Sequence, residues 1–100
     1  LAPVLKFNAK ATGEKYRAIA KAMGVKKTKS MSIEQARKEC IAAVEKLSTD
    51  VGIPKKLSEL GVKEKDITFL AKSAIADACT PGNPRDVSLQ EIEDIYKSIL

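Results

Sequence analysis

Cys79 is the residue whose type and position best suit a site, since it leads into Thr80-Pro81-Gly82-Asn83-Pro84-Arg85, the most irregular stretch of the chain. Two prolines and a glycine there work against further helix. A thiol in that position reads either as a buried, inert side chain or as the wall of a ligand pocket. The spacing predicts that Cys79 ends a helix, whose C-terminus carries negative partial charge and opposes a thiolate, so a nucleophilic role is disfavoured. Asn83, Pro84 and Arg85 read as loop-shaping. Asn83 before proline is forced extended, and Arg85 is expected to pair with Asp86 or Asp77. Cys40 falls within an apolar stripe and reads as core.

Other chemistries are removed by subtraction. The chain has no histidine, which excludes His-based zinc sites, Ser-His-Asp triads and Cys-His pairs within it. Two cysteines without a CxxC spacing cannot close a structural zinc site. A carboxylate-only magnesium or calcium site from Glu91, Glu93 and Asp94 is weighed against a solvated acidic helix face, and the solvated face is favoured. Neither GxGxxG nor GxxxxGK[ST] occurs, so no phosphate-cradling loop is assigned. Lys21, Lys26, Lys27 and Lys29 would attract phosphate unspecifically, but no arginine or aromatic residue interleaves with them. They read as a solvated helix end and linker, without nucleic acid as a partner. No catalytic, cofactor-binding or metal-ligating residue is assigned, and Cys79 is left as the candidate pocket residue.

The elements that must carry these residues are helices. Tyr16, Ile19, Ala20 and Met23 sit at i, i+3, i+4 and i+7, with Thr12 as the expected cap and Gly24 as the stop. Ser32-Ile33-Glu34-Gln35 reads as a capping box for a longer helix. Its expected stripe is Ile33, Ala36, Cys40, Ala43, Val44 and Leu47, and it should end near Gly52 ahead of Pro54. Pro54 suits the first turn of a short helix through Leu57 and Leu60, closed by Gly61. Ile67, Leu70, Ala71, Ala74, Ile75 and Ala78 line the clearest helix. Ser88-Leu89-Gln90-Glu91 repeats the capping-box logic for a last helix with Ile92, Ile95, Tyr96 and Ile99 inside. No alternating run argues for a strand. The fold class is all-α, a bundle segment of about five helices.

Composition agrees with that reading. Apolar residues make up 44% and charged residues 31%, as in a globular domain or part of one, and aromatics only 4%, leaving an aliphatic core. No uncharged apolar run approaches the roughly 20 residues needed to span a bilayer. Two cysteines and no signal peptide favour a reduced, cytoplasmic setting. Leu1-Ala2-Pro3-Val4-Leu5 lacks an initiator Met and reads as an opening inside a longer polypeptide. The net charge of +5 is uneven, with 11 basic against 5 acidic groups in residues 1–50 and 7 against 8 in residues 51–100. That asymmetry supports an alternative function, an autonomous helical interaction module that binds acidic partners through its basic N-terminal half.

Several segments together resemble a known family: Lys6-Phe7-Asn8-Ala9, Gly13-Glu14-Lys15-Tyr16-Arg17-Ala18-Ile19-Ala20, Asp50-Val51-Gly52-Ile53-Pro54, Leu57-Ser58-Glu59-Leu60-Gly61-Val62 and Asp77-Ala78-Cys79-Thr80-Pro81-Gly82-Asn83-Pro84-Arg85. Their order and spacing are similar to the C-terminal end of the iron-dependent (group III), NAD(P)-linked alcohol dehydrogenases, the family of lactaldehyde reductase, propanediol dehydrogenase and bacterial methanol dehydrogenase. The likeness covers residues 1–100. It implies that these residues are the C-terminal segment of a dehydroquinate-synthase-like helical, iron-binding domain. An upstream Rossmann-like domain would hold the nicotinamide, and the iron ligands, one aspartate and three histidines, would also lie upstream. The implied activity is hydride transfer between a primary alcohol or aldehyde and NAD(P), in a homo-oligomeric whole enzyme. By the same resemblance Cys79 lines the pocket near nicotinamide and substrate, and the segment packs the metal-bearing helices. Alone, it is expected to bind neither iron nor NAD(P) and to be inactive.

Overall fold

The computed structural model describes residues 1–100, arranged as five α-helices with short 3-10 segments in every connection, two of them between the third and fourth helices, and with no strand. The helices are α1 (Ala2–Asn8), α2 (Lys15–Ala22), α3 (Ile33–Asp50), α4 (Ile67–Ile75) and α5 (Leu89–Ser98). The all-α class and the number of helices follow the patterning, although the membership differs. Ala2–Asn8 is a helix that local spacing does not single out, with Pro3 in its first turn where a missing N–H costs nothing. The expected helix from Pro54 is a single 3-10 turn, Leu57–Leu60. The chain divides into two compact units, Leu1–Ile53 and Pro54–Leu100. No helix is long and apolar enough to cross a membrane.

In the first unit α2 lies against α3. Tyr16 and Ala20 from α2 meet Cys40 and Ile41 from α3, and Ala2, Leu5, Ala9 and Val25 pack against that cluster. Ala20, Ala36 and Cys40 are wholly buried. Such small side chains let two helix backbones approach closely, and tight packing then yields dispersion contacts as well as apolar burial. Tyr16 keeps its polar end satisfied by donating from its hydroxyl to the Leu5 carbonyl at 2.9 Å, which ties α1 to α2. Leu47, expected inside, is exposed, and Ile41 is buried in its place. The buried residues of α3 run from Ala36 to Val44, and most of its last two turns are exposed.

Thr12 does not cap α2. Its Oγ1 donates to the Ala9 carbonyl at 2.8 Å, and α2 starts at Lys15 after Gly13 takes a left-handed φ of 52°. Gly24 stops α2 as its position predicts. The Ser32 box is half formed: Ser32 Oγ accepts from the Gln35 amide at 3.1 Å, while the Gln35 side chain donates to Glu39 instead of returning to Ser32. The linker between α2 and α3 is held from within by Arg17, whose guanidinium donates to the Thr28 and Met31 carbonyls.

In the second unit α4 packs against α5. Ile67, Ala71 and Ile92 are its buried apolar residues, and Thr68 Oγ1 donates to Glu93 Oε1 at 3.0 Å across the pair. The Leu57–Leu60 turn begins after Lys56 because its first amides are already used. Leu57 N–H donates to the Ile99 carbonyl at 2.7 Å and Ser58 N–H to the Leu100 carbonyl at 3.3 Å. Gly61 closes that turn at φ 84°. Phe69 and Leu60 are 72% and 66% exposed, so much of this unit's apolar surface is not covered by the unit itself.

Candidate functional site

The stretch carrying Cys79 is built by side chains that compete with helix. α4 stops at Ile75, short of the expected Ala78, because side-chain bonds claim the backbone groups that a further turn would use. Asp77 Oδ1 accepts from the Cys79 amide at 2.7 Å, and Thr80 Oγ1 donates to the Ala74 carbonyl. Backbone bonds then close a 3-10 turn at Thr80–Gly82, with Gly82 N–H donating to the Cys79 carbonyl and Asn83 N–H to that of Thr80, each at 3.0 Å. Cys79 therefore sits four residues beyond the last residue of α4, and it is exposed. The expectation of a thiol at a helix terminus is corrected accordingly.

Asn83 is extended, with ψ 140°, as the following proline requires. Its Nδ2 donates to the Arg85 carbonyl at 2.6 Å. The Arg85 guanidinium, expected beside Asp86 or Asp77, lies 2.7 Å from Glu91 Oε1. Glu91 in turn completes the α5 capping box. Ser88 Oγ accepts from the Glu91 amide at 3.2 Å, and Glu91 Oε2 accepts from the Ser88 amide at 2.8 Å. The Ser88 amide, assisted by the Ser88 hydroxyl and by Arg85, holds the Glu91 carboxyl below the usual carboxylate range.

The remaining sequence candidates are not gathered into a site. Glu91, Glu93 and Asp94 serve different partners: Ser88 with Arg85, Thr68 with Lys97, and Gln90. No group of three or more His, Cys, Asp or Glu residues is placed to hold a metal ion. Lys21, Lys26, Lys27 and Lys29 are all exposed, and Lys27 adopts a left-handed φ of 59°. Cys40 is buried, as its stripe predicts.

Sequence reasoning missed the Arg85–Glu91 pair and the Asp77 bond to Cys79. Only the second had a local signal, since aspartate habitually accepts from the amide two residues on. The pair with Glu91 spans the loop and depends on where α5 begins.

Over residues 1–100 the chain matches the model of the Fe-containing alcohol dehydrogenase family, C-terminal. It is 50% identical over 93 residues to lactaldehyde reductase of Escherichia coli (strain K12), covering 93% of this chain and 24% of that protein. Identity to the NAD-dependent methanol dehydrogenase of Bacillus methanolicus is 39% over 97 residues, 97% of this chain and 25% of the relative. A solved structure, a crystal structure of 1,3-propanediol oxidoreductase, superposes with a TM-score of 0.94 at 39% identity, covering 100% of this chain and 26% of that one. The chain thus spans about a quarter of the length of these relatives.

Proposed function

The chain belongs to the Fe-containing alcohol dehydrogenase family, and we propose that it serves as the C-terminal helical segment of an enzyme that passes hydride between a primary alcohol or aldehyde and a nicotinamide cofactor. The observation that carries this reading is the 50% identity to lactaldehyde reductase over 93% of the chain. The residues present do not fit an iron site, for the chain has no histidine and gathers no cluster of ligating side chains. In this proposal the iron and nicotinamide sites belong to the rest of the enzyme, which is cytoplasmic and homo-oligomeric.

This segment contributes two things. Its uncovered apolar side chains, Phe69 and Leu60 foremost, pack against the metal-bearing helices; removing such surface from water stabilises by about 25 cal/mol per Å². Cys79, exposed on a turn held by Asp77 and Thr80, forms part of the wall that meets the alcohol or aldehyde. A wall residue selects by shape and polarity without joining in the chemistry.

The test is Cys79→Ser in the full-length, iron-loaded enzyme. The expected result is a change of about threefold or more in KM or kcat for the preferred alcohol, a size typical of small changes in pocket walls, with iron content unchanged by metal analysis. Loss of iron, or kinetics identical to the parent, overturns the pocket role.

A further inference from the structure

We propose that Arg85 and Glu91 are a positioning pair that sets the Cys79 turn against the start of α5 and thereby tunes which alcohol or aldehyde is accepted; this rests on the reading of Cys79 as a pocket residue. The turn has two supports. On its N-terminal side Thr80 Oγ1 holds the Ala74 carbonyl at the end of α4, and Asp77 holds the Cys79 amide. On its C-terminal side Asn83 fixes the Arg85 carbonyl and the Arg85 guanidinium reaches Glu91 at 2.7 Å. Bonds internal to the turn give it a shape, whereas the Arg85–Glu91 pair relates that shape to a different helix.

Glu91 is suited to this because its carboxylate is already oriented. Oε2 accepts from the Ser88 amide in the capping box, which leaves Oε1 facing Arg85. α5 is itself packed on α4, where Ile92, Ile67 and Ala71 are the buried apolar residues and Thr68 bonds Glu93. The pair thus fastens the loop to a rigid two-helix platform. Both members remain partly exposed, with side-chain accessibilities of 44% and 37%, so the pair adds little to global stability. Its influence falls on geometry, where a misplacement of about 1 Å near reacting groups can cost on the order of 100-fold in rate.

The experiment uses the full-length, iron-loaded enzyme with ethanol and 1-butanol as probes. Glu91→Gln keeps an oxygen for the Ser88 amide and removes the charge that attracts Arg85; Arg85→Ala removes the other partner. Each is expected to change the ratio of kcat/KM for the two alcohols by about threefold or more, at unchanged iron content and near-parental melting temperature. Maleimide labelling of the Cys79 peptide, read by mass spectrometry, should accelerate by about the same factor as the turn loosens. The double variant Cys79→Ser/Glu91→Gln should be no worse than Cys79→Ser alone, because the pair acts through Cys79. If Cys79→Ser alters kinetics while both pair variants keep the parental ratio and labelling rate, or if the double variant is additive, the positioning role is overturned and the pocket reading survives. If Cys79→Ser itself changes nothing, the pocket reading falls and takes this inference with it.

Discussion

The two units of this chain are stabilised by different means. Leu1–Ile53 is organised around an interior, with Tyr16, Ala20, Ala36, Cys40, Ile41 and Val44 buried between α2 and α3 and their neighbours. Pro54–Leu100 buries only Ile67, Ala71 and Ile92 among its apolar residues, and relies on caps, short turns and side-chain bonds to the backbone. Packing supplies most of the first unit's order, and local polar chemistry much of the second's. A loop that meets a ligand benefits from the second arrangement, because polar bonds fix direction where apolar contact fixes mainly proximity.

The comparison can be broken by substitutions in the full-length protein. Tyr16→Ala should have the largest effect, destabilising the first unit by about 3 kcal/mol or more through the cavity it leaves, measured as lost hydrogen-exchange protection in α3. Ser88→Ala should remove about 1 kcal/mol from α5 by deleting its cap, detected in the same experiment as selective fraying of Leu89–Glu91. Gln35→Ala should cost only about 0.2–0.5 kcal/mol, since that side chain pairs with Glu39 and not with the cap. If Gln35→Ala loosened α3 as much as Ser88→Ala loosens α5, the contrast between the two helix starts would be lost.

Titration is the gentlest probe. Burial pushes the Cys40 thiol above its ordinary 9.0 and, as the largest cause, the Tyr16 phenol above 10.0, with Cys40 adding to the Tyr16 shift and Arg37 opposing it. The unfolded chain gives up both protons first, so their stabilisation is complete below those ordinary values and is lost as pH rises through the raised ones. The Glu91 carboxyl, held down first by the Ser88 amide, contributes above its ordinary 4.5, and that contribution is lost as pH falls through the lowered value. Alkali should therefore loosen α3 before α5, and acid should do the reverse. Identical exchange profiles in the two helices at both extremes would remove the distinction.

What was legible in the sequence follows the same division. Periodicity located α2, α3 and the buried Cys40, because a packed stripe writes its spacing into the chain. The Ser88–Glu91 box was readable for a local reason, being closed within four residues. Thr12 and Gln35 have the residue types for caps, yet Ala9 and Glu39 offered competing partners. α4 ended early for a related cause: Asp77 and Thr80 take backbone groups that continued helix would need. The start of the Leu57–Leu60 turn depends on how distant segments meet, and the Arg85–Glu91 contact, six residues apart, on where α5 begins, which no local pattern encodes. The Cys79 turn could be recognised as irregular, but its supports could not be named.

The bonds from Leu57 and Ser58 to Ile99 and Leu100 have a practical side. Shortening the polypeptide to Ser98 would delete both acceptors and leave two amides at the head of the Leu57–Leu60 turn to find water. Changes at Ile99 and Leu100 should therefore be chosen so that these two carbonyls keep their direction.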